Sequence, residues 1–284
     1  MTIDSAGTIA IGDLTVPRLG YGTMRLTGPG IWGPPRDHDE AVRVLRRAVE
    51  LGVRVIDSAW YYGPEAAHLL VREALSPYPE DLVLVTKLGG ARGDNRSWYS
   101  ALSPELLRQG CESDLRLLGI ESIPVVHLRW MDDETTTSFE DSLATMIELQ
   151  EEGKIERIGL SNVTLDQLDA AMAEVEIVTV SNLYSVGQRG DDPVLQRCTE
   201  EGVAYLPFFP LAMGKVGRES VVAAVAERLH ASATTVALAW LLQRSPAVLP
   251  IPGTSKVVHL EENVAAADLV LTPADLSELD GTVA

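Results

Sequence analysis

DEAVRVLRRAVELGVRVIDSAWYYG, residues 39–63, sets a helical pattern directly against a strand pattern. Its first half carries apolar residues at 41, 42, 44, 45, 48, 49 and 51, close to a helical period, and Gly52 is well placed to stop the helix. Its second half is a short apolar run that ends on Asp57, and two adjacent tyrosines follow within five residues.

The same alternation recurs on both sides. Short apolar, β-type runs fall at RLGYGT (18–23), RVIDSA (54–59), LVLVTK (82–87), SIPVVHLR (122–129), RIGLSN (157–162), IVTVSN (177–182), VAYLPFF (203–209) and VLPIPG (248–253). Helical patterns lie between them. SPELLRQGCESDLRLLG (103–119) opens with Ser103 as N-cap and Pro104 at the first helical position. SFEDSLATMIELQEEG (138–153), TLDQLDAAMAEV (164–175), DDPVLQRCTEEG (191–202) and SATTVALAWLLQRS (232–245) continue the series. Continuous apolar strands separated by helices indicate a parallel sheet covered on both faces. Eight such units in 284 residues predict a (β/α)8 TIM barrel, with the chain (1–284) as a single domain. Residues 7–16 alternate and turn at Gly12-Asp13, which predicts a hairpin before the first barrel strand. Two Gly-, Pro- and polar-rich stretches, 24–36 and 89–102, follow strands and would sit over the barrel's C-terminal face.

Composition narrows the partners. A net charge of −18 argues against nucleic acid and anionic membranes, since both need a basic face. The longest strongly apolar segment, ATTVALAWLL (233–242), is too short to span a bilayer, and MTIDSAGTIA (1–10) does not read as a signal peptide. Cys111 and Cys198 stand alone and far apart, without the pattern of a disulfide framework or a metal pair. A soluble, cytoplasmic protein is the expectation. The sequence carries no mark of an oligomeric state.

In a barrel, chemistry comes from the C-terminal ends of the strands. The sequence puts Asp57 after the second strand, Lys87 at the end of the third, His127 in the fourth and Ser161-Asn162 after the fifth. Singly, each has an ordinary reading: a turn cap, a solvated strand end, a hydrogen-bonded core histidine. Together they direct an acid, a cation and an imidazole at one mouth, with a tyrosine just beyond. A charge is costly to bury unpaired, and Asp57 beside Lys87 supplies the pairing. Lys87 next to a tyrosine would favour the phenolate and lower its pKa, bringing a proton donor nearer to working pH. That apparatus suits protonation of an alkoxide as a carbonyl is reduced.

DSAWYYG, VTK, VVHL and IGLSN together resemble the Asp–Tyr–Lys–His tetrad and following Ser-Asn of the aldo-keto reductases. The likeness runs from the N-terminal hairpin to IPGTSKVVHLEEN (251–263). Within the family, GTMRLTGPGIWGPPRD and SWYSALSPELL are similar to the pyridoxal reductase branch. The resemblance implies the barrel fold and NADPH-dependent reduction of an aldehyde or ketone. It selects Tyr62, directly before Gly63, as the general acid over Tyr61. Lys87 and Asp57 would tune its pKa, and His127 would orient and polarise the carbonyl.

GYGT lacks the third glycine of a Rossmann fingerprint. The resemblance implies NADPH laid across the barrel mouth instead. Ser161 and Asn162 would hold the carboxamide, with Ser181 where the family has Gln, and Phe208 would stack on the nicotinamide. Backbone amides of Leu211, Ala212, Met213 and Gly214 would meet the pyrophosphate. Thr254, Ser255, Lys256 and His259 remain to meet a 2′-phosphate, while Glu262 and Asn263 match the adenine contacts. Gly253 and His259 stand where the family has Lys and Arg, so NADH remains open as a cofactor.

Trp32, Trp60, Tyr61, Trp98, Tyr99 and Trp130 fall on or beside the mouth loops. They read either as loop anchors or as an aromatic pocket for a flat or apolar carbonyl compound, with Arg129 meeting an anionic group. Two other functions share the barrel: an NADPH-binding regulatory subunit with little catalysis, and a Schiff-base aldolase using Lys87. Asp57 beside Lys87 would keep the amine charged, which argues against the aldolase.

Overall fold

The computed structural model describes residues 3–131, 137–211 and 220–281. Strands β1 (Thr8–Ile11) and β2 (Leu14–Pro17) pair antiparallel through Ile11 and Leu14, as the alternation in 7–16 predicts. Strands β3 (Tyr21–Gly22), β4 (Val55–Asp57) and β5 (Val83–Arg92) open a parallel sheet. After the short antiparallel β6 (Trp98–Ala101), the strands β7 (Val125–Arg129), β8 (Ile158–Ser161), β9 (Ile177–Ser181) and β10 (Ala204–Tyr205) continue it in chain order.

The eighth stave is irregular. Tyr205 bridges Val248 in parallel, Leu249 N donates to Tyr205 O at 2.8 Å, and Gly20 N donates to Pro250 O at 2.9 Å. Residues 248–251 thus close β10 onto β3, and the sheet becomes a barrel. Pro250 has no N–H, so the stave cannot build a full ladder on both sides.

Helices α1 (His38–Glu50), α2 (Ala66–Leu75), α3 (Pro104–Leu118), α4 (Phe139–Glu151), α5 (Leu165–Glu174) and α6 (Asp192–Glu201) wrap the outside. They are followed by α7 (Ser220–Arg228), α8 (Ala233–Arg244), α9 (Val257–Val264) and α10 (Pro273–Asp280). The helix starts follow local chemistry: Ser103 and Ser138 accept backbone N–H bonds as N-caps, and Thr164 forms a capping box with Gln167. α8 is apolar because it is buried, with Val236 through Leu241 sealed from solvent. Among the described residues no single helix is long and apolar enough to cross a membrane.

Inside the barrel, Val55, Val83, Val85, Val125, Val178 and Leu249 pack with Ile11 and Val16 of the hairpin. The hairpin therefore closes the N-terminal end, and Arg157 ties it down by donating to Asp13 at 2.6 Å. That leaves the C-terminal end open for the site.

One expectation changes. Residues 89–102 are not a free loop: β5 runs on to Arg92 and pairs with β6, Gly89 opposite Ala101. Gly89 has φ +102°, and a Cβ there would stand 2.4 Å from Arg129 O, so only glycine lets the extended strand leave the barrel here.

Candidate active site

β4 carries Asp57 to its C-terminal end, and β5 carries Lys87 in register with His127 of β7. Asp57 is 4% and Lys87 2% exposed, so neither charge reaches bulk water. Lys87 Nζ donates to both Asp57 carboxylate oxygens at 2.6 Å and to Ser58 O at 3.3 Å. An ammonium has three N–H donors, and these three contacts use all of them. Burial raises the Asp57 pKa, and the Lys87 ammonium opposes that shift.

A layer of buried polar groups, dispersed in sequence, holds this pair from behind. Thr23 Oγ1 donates to Ser58 Oγ at 2.9 Å, Ser58 Oγ contacts His68 Nδ1 at 2.9 Å, and His68 Nε2 contacts Asp114 Oδ1 at 2.8 Å. No local signal marks Thr23, Ser58, His68 and Asp114 as one network, because α2 and α3 bring them together only in the fold.

A cavity of about 460 Å³ opens above the pair, its wall including Asp57, Tyr61, Tyr62, Lys87 and Arg129. Met24, Arg25 and Ile31 from the first mouth segment also line it, as do Phe208, Phe209 and Leu211 opposite. Ile251, Pro252 and Gly253 complete that side. Tyr61 is wedged edge-on among Trp60, Tyr62 and Trp98, with centroids 5.4 to 5.8 Å away. Lys87 Nζ lies 5.4 Å from the Tyr62 ring centroid.

The expected lowering of the tyrosine pKa by Lys87 is not found. Burial raises the Tyr62 pKa, the Asp57 carboxylate adds to the rise, and the cation that opposes it is Arg129. Burial is the first cause, and the Asp57 carboxylate that pairs with Lys87 acts on the phenol in the same direction. Tyr61 is also raised, by burial first and then by Tyr62.

His127 lies deeper in the barrel than the groups of the cavity wall. It is fully buried and absent from the cavity wall, with Nε2 2.8 Å from Thr179 Oγ1. Among the described residues its Nδ1 has no hydrogen-bond partner. Burial, then Lys87 and Arg129, push its pKa well below the ordinary imidazole value, which keeps the ring neutral. Arg129, two residues further along β7, lines the cavity and donates from Nη1 to Ser161 Oγ at 3.4 Å.

The aromatics sort in the same way. Trp98 and Tyr61 reach the wall; Trp32 and Trp60 do not. Trp32 instead faces the Arg92 and Arg96 guanidinium groups, and Trp130 packs edge-on against Phe139 at 5.5 Å. Tyr99 is 42% exposed and outside the wall.

The cofactor candidates are divided between free and committed groups. Phe208 presents a ring to the cavity, held by Phe208 N donating to Asn182 O at 2.9 Å. Ser181 Oγ is buried without a partner among the described residues. Asn162, with φ +60°, donates its amide to Trp130 O at 2.9 Å and borders a separate cavity, and Ser161 is fully buried. Ala212, Met213 and Gly214 lie outside the described residues.

At the start of α9, Thr254 Oγ1 accepts from Lys256 N at 3.3 Å, while Ser255, Lys256 and His259 are exposed. Glu262 is half-buried and Asn263 buried on the same helix. The sequence reading missed Glu40, whose Oε1 accepts from Val257 N at 3.1 Å. A carboxylate thus already sits at the α9 N-terminus. No group of three or more metal-ligating side chains gathers among the described residues.

A parallel barrel with a buried Asp–Lys pair and two tyrosines under an aromatic-walled mouth defines a barrel enzyme with its chemistry at the strand C-termini. The sequence model described as the aldo/keto reductase family matches residues 18–284. The chain is 46% identical to a pyridoxine 4-dehydrogenase of Escherichia coli (strain K12), covering 98% of both chains. It is 40% identical to an uncharacterised oxidoreductase of Schizosaccharomyces pombe, over 97% of this chain and 89% of that one. A solved aldo/keto reductase of Klebsiella pneumoniae, in complex with NADP and acetate, superimposes with a TM-score of 0.77 at 26% identity, covering 94% and 91% of the two chains. The chain belongs to the aldo/keto reductase family, and it is an NAD(P)H-dependent oxidoreductase.

Proposed function

We propose that the protein reduces an aldehyde or ketone to the alcohol with NADPH, that Tyr62 is the general acid, and that pyridoxal is among its substrates. The observation that carries the reading is the Lys87–Asp57 pair, buried at 2.6 Å beside the Tyr62 ring at the floor of an aromatic-walled cavity. The NADP-bound Klebsiella pneumoniae structure and the Escherichia coli pyridoxine 4-dehydrogenase support the cofactor and the substrate.

NADPH, when bound, supplies the hydride. Phe208 would pack against the nicotinamide, and Ser181 Oγ, buried without a partner, is the side chain best suited to its carboxamide, with Ser161 and Asn162 beside it. Leu211, Met213 and Gly214 would offer backbone amides to the pyrophosphate. The 2′-phosphate would meet the α9 N-terminus through Thr254, Ser255, Lys256 and His259, and adenine would lie against Glu262 and Asn263.

Tyr62 keeps its proton through the neutral range because burial raises its pKa, so it reaches the substrate as a phenol. It gives that proton to the carbonyl oxygen as charge develops there. Asp57 holds Lys87 in place, and all three ammonium protons are engaged, which removes Lys87 as a nucleophile. Tyr61, Trp98 and Ile31 would form the walls against a flat ring.

The test is oxidation of NADPH, with NADH in parallel, against pyridoxal, 4-nitrobenzaldehyde and 9,10-phenanthrenequinone. Turnover of an aldehyde or ketone supports the reading. Tight NADPH binding with no turnover of any of them overturns it in favour of a cofactor-binding regulatory protein.

A further inference from the structure

We propose that Arg92 is the positioning residue that assembles the substrate-facing wall of the cavity, and that it thereby selects carbonyl compounds whose reacting group sits on a flat ring. This rests on the reading of the site as a carbonyl reductase, and concerns which carbonyl compounds it takes. Ile31, Tyr61 and Trp98 line the cavity together but come from three separate segments. Ile31 belongs to the first mouth segment, Tyr61 to the turn after β4, and Trp98 to β6. Something must hold the three in one surface.

One guanidinium joins them. Arg92 ends β5 directly opposite Trp98 of β6, with its guanidinium carbon 4.2 Å from the Trp98 ring centroid. Trp32 backs the same group at 5.3 Å. Arg92 Nη1 donates to Ile31 O at 2.9 Å, and Nη2 donates to Gly30 O at 3.3 Å and to Arg96 O at 2.9 Å. Two of these bonds hold the first mouth segment, and the third closes the turn between β5 and β6. Ile31 O also accepts from Gly63 N at 3.3 Å, directly after Tyr62. One carbonyl thus ties the mouth segment to the hairpin and to the tyrosine turn at once. Trp98 completes the ring of contacts by meeting Tyr61 edge-on at 5.8 Å.

The place suits arginine and no other side chain. Three carbonyls and an indole face call for a planar cation with donors in fixed directions, and a lysine ammonium has no plane to stack. The wall also depends on this support. Ile31 has φ +57°, a left-handed backbone that is costly for a β-branched residue and persists only where its surroundings enforce it. Trp98 is 39% exposed, so burial alone does not hold its ring. Without Arg92, the mouth segment would relax and Trp98 would lose the cover on one face. A flat ring would then have to order both as it binds, which weakens its binding and leaves the chemistry at Tyr62 untouched. A small aliphatic aldehyde, which reaches Tyr62 without spanning the wall, is indifferent to the change.

The experiment compares wild type, Arg92→Met, Arg92→Lys and Trp98→Leu with NADPH on pyridoxal, 4-nitrobenzaldehyde and propanal. Cofactor binding is followed by fluorescence and folding by thermal melts. Arg92→Met is expected to raise KM for both ring aldehydes by about tenfold or more, with kcat and the NADPH Kd within about threefold. Its kcat/KM on propanal should stay within about twofold of wild type. Arg92→Lys should recover little, since it restores the charge without the fork. Trp98→Leu should reproduce the ring-selective loss, and the double variant should lose little more than the larger single one, because both act through one wall. Should Arg92→Met fold poorly, Arg92→Gln gives the same comparison. An equal loss of kcat/KM on propanal and on the ring aldehydes would overturn the proposal and make Arg92 a general support of the fold. A ring-aldehyde KM that stays within about twofold in Arg92→Met would overturn it as well. Absence of turnover of all three compounds by the wild type would instead remove the carbonyl-reductase reading, and this proposal with it.

Discussion

Replacing Lys87 by Met should make the fold pH-sensitive in a calculable way. Asp57 is 4% exposed, and Lys87 Nζ lies 2.6 Å from both its oxygens. Without the ammonium, an ionised Asp57 would be a buried, uncompensated charge, and breaking such a pair costs about 3–5 kcal/mol. Protonating Asp57 limits that cost. Relative to an unfolded aspartate with a pKa near 3.9, taking up a proton at pH 7 costs about 4 kcal/mol, at 1.36 kcal/mol per pH unit. At pH 5 the same step costs only about 1.5 kcal/mol.

In the variant the folded Asp57 has the raised pKa, so the folded state binds the extra proton and stability falls as pH rises. In the wild type Lys87 opposes that rise. The expected loss on Lys87→Met is thus about 3–4 kcal/mol at pH 7 and about half that or less at pH 5, read from urea denaturation at both values. Adding Asp57→Asn to Lys87→Met should restore much of it, because the buried charge is then gone. A loss below about 1 kcal/mol at pH 7, or one equal at both pH values, would refute a buried ion pair whose members depend on one another.

Tyr62→Phe should lower carbonyl reduction by about 10²- to 10⁴-fold while leaving the NADPH Kd nearly unchanged, and Tyr61→Phe should do far less; steady-state rates and a fluorescence titration check both. Glu40→Gln removes the carboxylate that accepts from Val257 N, and should tighten NADPH by about three- to tenfold while leaving NADH unchanged, measured as Kd for each cofactor. Gly159→Ala would place a Cβ 2.1 Å from Thr179 Oγ1, and should destabilise the protein by about 1–3 kcal/mol or more in urea denaturation by separating Thr179 from His127.

Much of this protein follows from local chemistry. The periodicity of residues 41–51 and the run ending at Asp57 mark α1 and β4, and repetition of that unit implies the barrel. Ser103, Ser138 and Thr164 mark helix starts because capping is a contact within one turn. Asp57 and Lys87 are legible as a pair because adjacent parallel strands put their ends side by side, and buried charge must be paired. Residues 89–102 were misread for a local reason as well: their glycines and polar residues resemble a loop, yet the antiparallel pairing with Gly89–Arg92 is a nonlocal bond.

Depth in the barrel was not legible. A strand's two-residue period tells which face His127 and Arg129 share, but not which of them reaches the cavity. That depends on how β7 stands against β8 and β9, where Gly159 and Thr179 enclose the imidazole and leave the guanidinium above them. The aromatics divide for the same reason, Trp98 reaching the wall through the β5–β6 pairing while Trp32 and Trp60 stay behind it. Glu40, 217 residues before Val257, met the α9 N-terminus only when the ring closed. Residue type and spacing therefore determined the fold and the chemistry available to it. Tertiary packing alone decided which charged groups face the substrate, because burial and contact between distant strands are properties of the closed barrel.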